Sequence, residues 1–287
     1  MYSNQARLSN PVDLRLYTTL KIGGCAALFF IINEKDQFPA VEKYCRENFY
    51  LLGNGSNILV KDKFIKTPVI KLGRGFCYLR HNNSFLEAGA STPLSFLIKY
   101  CLDNNISLAE KLVGIPATIG GMLAMNASSF GCSLASRLQE VEVYDLRSGT
   151  QAVLKKDEIE FSYRCSSLLR SGLLILRAQF RISRGKDLKA EIEKRIKERL
   201  KKQDFSSPSC GSVFKNPAVS PAARLIEACG LKGVKKGGAQ VSGKHANFII
   251  NRGGASYRDV DFLIKMIKDK VFKKYNIILK EEIQRWG

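Results

Sequence analysis

The chain has 287 residues, of which 45% are hydrophobic, and a formal net charge of +20. This length predicts two or three modest domains, each with a core of its own. The eight cysteines never occur at Cys-x-x-Cys spacing, so neither a metal knot nor a disulfide scaffold is indicated. We expect reduced thiols in a cytoplasmic protein. The longest apolar run, CAALFFII at residues 25–32, is too short to span a bilayer, and we expect no membrane association.

The positive charge has two competing interpretations: a surface that binds nucleic acid or a membrane, or a solvated surface around a site for anionic small molecules. Much of it lies in GKDLKAEIEKRIKERLKKQ, where acids and bases alternate at helical spacing. Such a pattern is typical of an exposed helix with i,i+4 ion pairs. Basic residues interleaved with aromatic ones are absent from the sequence, so we expect no nucleic-acid partner.

The first half of the chain alternates predicted strands and helices. FFIINE is predicted as a strand, residues 35–49 as a helix, and YLLGNGSNILV as a strand, a glycine-rich turn and a second strand. Three short strands follow, in PVIKLG, CYLRHN and SFLEAGA. A helix then begins in TPLSFLIKYCLDNN, with Thr92 as its N-cap and Pro93 at its first position.

The second half contains a hairpin, VEVYDLRSGTQAVLKK, with its turn at residues 147–149. The basic helix at 187–202 precedes a break at 204–211 that resembles a domain boundary. SPAARLIEACGLKG is predicted as a helix ending in glycine, HANFIIN as a buried strand and residues 256–275 as a long amphipathic helix. NIILKEEI is predicted as the closing strand.

Two glycine-rich loops are candidates for ligand binding, GNGSN at 53–57 and GIPATIGG at 114–121. Such loops expose backbone N–H groups and let a ligand approach the backbone closely. The first does not match a Rossmann fingerprint, because Ile58 stands at the third glycine and another strand follows. With Asn126 downstream, the two loops either clamp one cofactor or are ordinary turns.

Three segments carry candidates for chemistry. Ser212, in SPSCGSVFKNP, is a nucleophile, a proton donor or a hydroxyl that closes a turn. A hydrolase is poorly supported, because the sequence has no Gly-x-Ser-x-Gly elbow and only two histidines. Arg164, in FSYRCSS, offers a planar fork of donors for a carboxylate. Strand alternation sends Glu281 and Glu282 to opposite faces, and the pattern does not decide which one points inward.

Taken together, several stretches resemble the bacterial UDP-N-acetylenolpyruvoylglucosamine reductases, the flavoenzymes known as MurB. They run in family order: TTLKIGG, LGNGSNILV, LEAGA, GIPATIGG, SYR, GSVFKNP, LIEACGLKG, GGAQVSGKHANFIIN and LKEEIQRWG. The short span between Arg164 and Ser212 resembles the compact type of the family, which lacks an inserted substrate-covering loop. Departures from the family pattern fall at Cys25, Ala117 and Ser128, and in the pairs Ala223–Arg224 and Lys280–Glu281.

The resemblance implies an α+β fold: an FAD-binding part of two subdomains, similar to vanillyl-alcohol oxidase, followed by an α+β substrate domain. The implied boundaries are residues 1–70, 71–203 and 204–287. It also implies a cytoplasmic enzyme of peptidoglycan precursor synthesis that reduces UDP-N-acetylglucosamine enolpyruvate to UDP-N-acetylmuramate with FAD and NADPH. We expect it to be a monomer.

The resemblance assigns the reaction to three residues. Hydride passes from flavin N5 to C3 of the enolpyruvyl group, Ser212 protonates C2, Arg164 stabilises the developing negative charge, and Glu282 acts with it. Ser212 is then a general acid and not a nucleophile. The implied FAD contacts are Gly53, Asn54, Gly55, Ser56, Asn57, Gly114, Ile115, Pro116, Ala117, Gly120, Gly121 and Asn126. The implied substrate contacts are Tyr163, Lys215 and Asn216, and no metal is implied.

Two alternatives stay open. Another FAD oxidoreductase of this fold, such as an alcohol or sugar-lactone oxidase, would be favoured by covalent flavin attachment, for which both histidines are poor candidates. A basic nucleic-acid-binding protein would show steeply salt-dependent affinity without flavin.

Overall fold

A computed structural model describes residues 7–9 and 11–287 and divides them into two compact units. The first unit comprises residues 7–9, Leu28–Asn54 and Thr67–Glu198. The second comprises Pro11–Ala27, Gly55–Lys66 and Arg199–Gly287. The boundaries at residues 70 and 203 that the sequence implied for three domains stay a prediction.

The helices of the described residues range from five to nineteen residues. They are α1 (Phe38–Glu42), α2 (Leu94–Asp103), α3 (Ile119–Ala124), α4 (Ser167–Ser171), α5 (Leu188–Lys202), α6 (Ala222–Ala228) and α7 (Tyr257–Tyr275). The predictions for the basic helix and the long amphipathic helix are confirmed by α5 and α7. In α5, Arg195 pairs with Glu191 and Glu198 at helical spacing, as the charge pattern predicted. The unit boundary falls within α5.

Two main sheets form the first unit. One has the strand order Arg7–Ser9, Phe29–Ile32, Val69–Leu72 and Tyr50–Leu51, and the last three strands run parallel. The other is an antiparallel five-stranded sheet, in the order Thr150–Lys155, Leu138–Asp145, Leu174–Arg181, Phe85–Gly89 and Leu79–His81. Short two-stranded ribbons pair Ile106–Ser107 with Ser183–Arg184, Ser128–Ser129 with Cys132–Ser133, and Phe161–Ser162 with Cys165–Ser166.

An ion-pair network joins the three central strands of the five-stranded sheet. Arg177 donates from Nε to Glu142 at 2.6 Å and from Nη1 to Glu87 at 2.9 Å, and Lys35 also binds Glu142. Glu142 is 5% exposed. Burial alone would raise the pKa of this carboxyl, but the hydrogen bonds from Lys35 and Arg177 lower it below its usual range. The carboxylate therefore stays ionised within the sheet.

The second unit is built around an antiparallel sheet in the order Ser209–Ser212, Phe248–Asn251, Ala239–Val241 and Lys235–Lys236. The buried face of α7 packs with the sheet into a core that includes Phe214, Ile249, Leu263 and Val271. Val12–Asp13 pairs with Cys25–Ala26, and Ile58–Val60 pairs in parallel with Gln284–Trp286. The strands Ile58–Val60 and Gln284–Trp286 lie far apart in the sequence, so this pairing is long-range.

Most predicted strands are confirmed, but the prediction for residues 35–49 is wrong in length. A 3-10 turn at Lys35–Gln37 leads into the five-residue α1. The helix ends because Tyr44 and Cys45 donate to the carbonyls of Val41 and Glu42, three residues earlier, which tightens the last turn. The helix α6 is likewise shorter than predicted, and the chain after it turns at Gly230, where φ is +69°.

The predicted N-cap of α2 is also wrong. Pro93 occupies the cap position, and the hydroxyl of Thr92 bonds instead to the backbone N–H and C=O of Tyr78, both at 3.1 Å. A hydroxyl that satisfies a neighbouring backbone segment is not free to cap its own helix.

The closing strand is displaced from NIILKEEI to Gln284–Trp286. Residues before it are held by an isolated bridge between Glu281 and Phe214. Within residues 7–9 and 11–287, no helix has the length and apolarity needed to cross a bilayer.

Candidate active site

Ser212 lies at the end of a distorted edge strand in the second unit. Ser209 pairs with Ile250 and Ser212 with Phe248, so the strand has one residue more than its partner between these pairs. The irregularity includes Gly211, whose φ of +73° disfavours any residue with a Cβ. A bulge of this kind redirects the side chain that follows it, here the half-buried Ser212.

The segment that follows Ser212 pairs with the segment that carries Glu282. Glu282 donates its backbone N–H to Val213 O at 2.8 Å, and Lys215 donates to Lys280 O at 2.9 Å. Glu282 O in turn accepts from Asn57 Nδ2 at 3.1 Å. The structure thus brings two of the three proposed catalytic residues, and one proposed cofactor contact, together in the second unit.

Asn247 fixes the other side of this segment, and no local pattern in the sequence predicted its contacts. Its side-chain oxygen accepts from Phe214 N at 2.9 Å and its side-chain nitrogen donates to Phe214 O at 2.8 Å. Its own carbonyl accepts from Val213 N at 2.9 Å. Asn247 is 3% exposed, so all these bonds are shielded from water. One residue, through its side-chain amide and its backbone carbonyl, therefore holds residues 213 and 214 much as a neighbouring strand would.

The carboxylate of Glu281, the neighbour of Glu282, is bound by two basic side chains. Glu281 accepts from Arg285 Nε at 2.7 Å and from Lys268 Nζ at 3.3 Å. Arg285 also donates to Asp261 and Tyr257. Glu281 therefore belongs to an ion-pair network with Arg285 and Lys268.

Arg164 lies in the first unit, in the tight turn of the ribbon formed by Phe161–Ser162 and Cys165–Ser166. Its φ of +56° is in the left-handed region, which is uncommon outside glycine. The guanidinium donates from Nη1 to Ser128 Oγ at 2.7 Å, and its Cζ lies 5.2 Å from the ring centre of Tyr163. Tyr163 is 50% exposed, so one side of this cation faces an accessible aromatic ring.

The two glycine-rich loops meet within the first unit. Asn54 Nδ2 donates to Pro116 O at 2.9 Å, and a Cβ at Gly53 would lie 2.8 Å from Thr118 Oγ1. Thr118 also caps α3 by accepting from Gly121 N at 3.3 Å. Gly120 donates to Ala90 O at 2.9 Å, and a Cβ there would lie 3.1 Å from the Ala90 Cβ. The glycines thus allow the loops and the neighbouring strand end to pack backbone against backbone.

The remainder of the first loop, Gly55–Asn57, belongs to the second unit. Gly55 has a φ of +64°, and a Cβ there would lie 2.0 Å from Tyr17 O. Its carbonyl accepts from Thr19 N at 3.1 Å. A glycine is required at this position on both grounds.

The first unit also contains polar groups suited to a bound cofactor. Asn126 Oδ1 is buried and lacks a hydrogen-bond partner among the described residues, although its Nδ2 donates to Ser162 O at 2.8 Å. It can accept from a ligand N–H. Lys71 Nζ donates to Gly53 O at 2.7 Å, and burial lowers the pKa of this ammonium. A cation bonded to the first loop suits a diphosphate. These residues fit FAD.

The remaining sequence candidates have structural contacts of their own. Asn216 Oδ1 accepts from Ala222 N at 3.0 Å, at the start of α6. His81 is exposed, and its Nδ1 lies 2.7 Å from the Tyr100 hydroxyl. Burial lowers the pKa of His245. The centre of its ring lies 4.5 Å from that of the Phe248 ring, and its backbone carbonyl accepts from Phe248 N. These histidine contacts are structural.

Comparison with known proteins gives the class of the chain and then its family. A family model for an FAD binding domain matches residues 26–155, which makes the chain a flavoprotein oxidoreductase. A second model, UDP-N-acetylenolpyruvoylglucosamine reductase C-terminal domain, matches residues 202–286. The chain belongs to the UDP-N-acetylenolpyruvoylglucosamine reductase (MurB) family. The α+β, FAD-binding fold and the use of FAD are thereby confirmed.

Individual relatives align over almost the whole chain. The UDP-N-acetylenolpyruvoylglucosamine reductase of Clostridium novyi is 34% identical over 290 residues, covering 99% of this chain and 94% of the relative. That of Halalkalibacterium halodurans is 37% identical over 280 residues, covering 96% and 93%. The crystal structure of the MurB enzyme of Thermus caldophilus superimposes with a TM-score of 0.86 at 31% identity, covering 98% of this chain and 100% of that one.

The contacts of Asn247 generate a stability prediction. We expect Asn247→Ala to lower the free energy of unfolding by about 2–4 kcal/mol, because it leaves the buried N–H and C=O of Phe214 unsatisfied. Asn104→Ala is a matched control, since the Asn104 amide is exposed and bonds within its own helix end. Urea unfolding of both variants measures the difference, and equal effects would contradict the role given to Asn247.

Proposed function

We propose that this protein reduces UDP-N-acetylglucosamine enolpyruvate to UDP-N-acetylmuramate, with NADPH as the reductant, in cytoplasmic peptidoglycan precursor synthesis. The observation that carries the proposal is the pairing of Ser212's segment with that of Glu282 in a chain that aligns end to end with these reductases. A monomeric state is part of the same proposal.

FAD is held, in this proposal, by residues of the two glycine-rich loops. They are Gly53, Asn54, Gly55, Ser56, Asn57, Gly114, Ile115, Pro116, Ala117, Gly120, Gly121 and Asn126. When bound, FAD supplies the hydride chemistry that links NADPH oxidation to reduction of the enolpyruvyl double bond. The chain contributes close backbone approach at the loops, the Asn126 amide oxygen and the Lys71 ammonium.

Arg164 stabilises the charge that develops on the substrate. Reduction at C3 of the enolpyruvyl group leaves negative charge at C2, delocalised into the neighbouring carboxylate. A guanidinium stabilises that charge effectively only if it is already oriented before the reaction. The bond from Nη1 to Ser128 and the contact with the Tyr163 ring support this role, because both restrict the guanidinium.

Ser212 supplies the proton that completes the reduction at C2. A serine hydroxyl is a weak acid, but a carbanion next to a carboxylate is a strong enough base to accept its proton. Glu282 acts with it from the paired segment, and Tyr163, Lys215 and Asn216 contact the substrate. The proposal assigns no nucleophilic role to Ser212, since no base that could activate it is identified.

The first experiment follows the absorbance of the purified holoenzyme without oxygen. Adding NADPH should bleach the flavin, and UDP-N-acetylglucosamine enolpyruvate should then restore it. Bleaching without recovery would overturn the proposed substrate while keeping the flavoprotein class.

Ser212→Ala separates proton donation from structure. We expect flavin reduction by NADPH to stay near the wild-type rate and reoxidation by the sugar nucleotide to slow by about 10²–10⁴-fold, the usual contribution of a general acid. Ser209→Ala, on the same strand, is the control. Equal loss in both half-reactions, measured by stopped-flow absorbance, would make the Ser212 hydroxyl structural.

Glu282→Gln tests which of the two adjacent carboxylates acts in the reaction. We expect it to slow reoxidation by roughly 10- to 100-fold, the value of one hydrogen bond to a charged group. Glu281→Gln should leave turnover close to wild type and lower stability by about 1 kcal/mol, because Glu281 is bound to Arg285 and Lys268. The reverse ranking in steady-state assays would reject the assignment of Glu282.

A further inference from the structure

The Ser128 side chain forms one hydrogen bond in the described part of the chain, and its partner is Arg164. Its Oγ lies 2.7 Å from Nη1 of the guanidinium. Because arginine has donors only, the Ser128 oxygen is the acceptor in this bond. The half-buried Ser128 hydroxyl thus accepts a hydrogen bond from the cation that the proposed function assigns to charge stabilisation.

The two residues come from separate ribbons that are joined at a second point. Ser128 begins the ribbon with Cys132–Ser133, and Arg164 lies in the turn of the ribbon at 161–166. Two residues before Ser128, Asn126 donates to Ser162 O at 2.8 Å. This bond from a side chain to the backbone ties the chain just before the first ribbon to the second ribbon, and the Ser128 bond then holds the guanidinium against the same segment.

Arg164 needs such an anchor, because its backbone alone does not determine where the guanidinium lies. Four rotatable side-chain bonds separate the charge from a backbone held at a φ of +56°. Tyr163, which contacts the guanidinium from one side, is itself 50% exposed. The Ser128 bond is directional, and it restricts rotation in a way that an aromatic contact does not.

We propose that Ser128 is a positioning residue that sets the selectivity of this protein for a carboxylate-bearing sugar nucleotide, by orienting Arg164. The inference rests on the proposed function, because it takes Arg164 as the group that binds the enolpyruvyl carboxylate. Without the Ser128 bond, the guanidinium retains its charge but samples orientations that do not match the carboxylate. The loss is therefore confined to ligands that carry that group.

The test compares two ligands of the oxidised holoenzyme, using the shift in flavin absorbance to measure each dissociation constant. UDP-N-acetylglucosamine enolpyruvate carries the carboxylate, and UDP-N-acetylglucosamine does not. Ser128→Ala should raise the dissociation constant of the first about tenfold, the value of one hydrogen bond to a charged group, and leave that of the second unchanged. Ser128→Thr, which keeps the hydroxyl, should restore binding of the first.

Two further variants distinguish positioning from a general structural effect. Ser133→Ala changes the residue paired with Ser128 on the same ribbon, and it should affect neither ligand. In an Arg164→Lys background, Ser128→Ala should cause little additional loss, because a residue that acts through Arg164 is not additive with it. Equal weakening of both ligands by Ser128→Ala, or full additivity with Arg164→Lys, would overturn the proposal.

Failure of the proposed function gives a different pattern. In that case the ratio of the two dissociation constants would be the same in the wild-type protein and in Arg164→Lys. The residue at position 128 would not change this ratio. A different outcome would reject only the positioning role of Ser128. In that outcome Arg164→Lys weakens binding of the carboxylate ligand alone, while Ser128→Ala binds both ligands like the wild type.

Discussion

Two hydrogen bonds between the Asn247 side chain and the backbone of Phe214 hold the segment that follows Ser212. Residues 213–215 have Asn247 on one side and residues 280–282 on the other, so their backbone is held from both directions. Backbone hydrogen bonds and the Asn247 side chain thus position the segments that carry Ser212 and Glu282.

The first unit uses a different device, which is local backbone strain offset by polar contacts. Asn126 and Arg164 both have positive φ, at +43° and +56°. Conformations of this kind cost about 1–3 kcal/mol each and persist only where the surroundings impose them. Here both residues also form side-chain hydrogen bonds, Asn126 with Ser162 and Arg164 with Ser128. Residues 53–54 and 114–121 of the glycine-rich loops belong to the same unit.

Much of this architecture could be predicted from local patterns. The alternation of acids and bases at helical spacing located α5, and apolar periodicity located α7. A turn between two predicted strands located the hairpin at 138–155. Motifs located the loops and Ser212. The contacts of Asn247 and Ser128 could not be predicted, because they join residues 33 and 36 positions apart through one polar side chain, which leaves no periodic trace. Thr92 was misassigned for the same reason, since its partner, Tyr78, belongs to another segment.

The origin of the second unit in three separate stretches of chain has a consequence for how the protein folds. Ile58–Val60 is almost fully buried, yet its partner strand is Gln284–Trp286, and the bond from Asn57 to Glu282 spans 225 residues. Contacts at such separation form slowly, because the entropy of closing the intervening loop is lost before the contact stabilises anything. During synthesis this apolar strand remains unpaired while more than two hundred residues are added. The chain therefore passes through a period in which the apolar, unpaired edge of this strand is exposed to other chains. Exposed edges of this kind are what chaperones protect from aggregation.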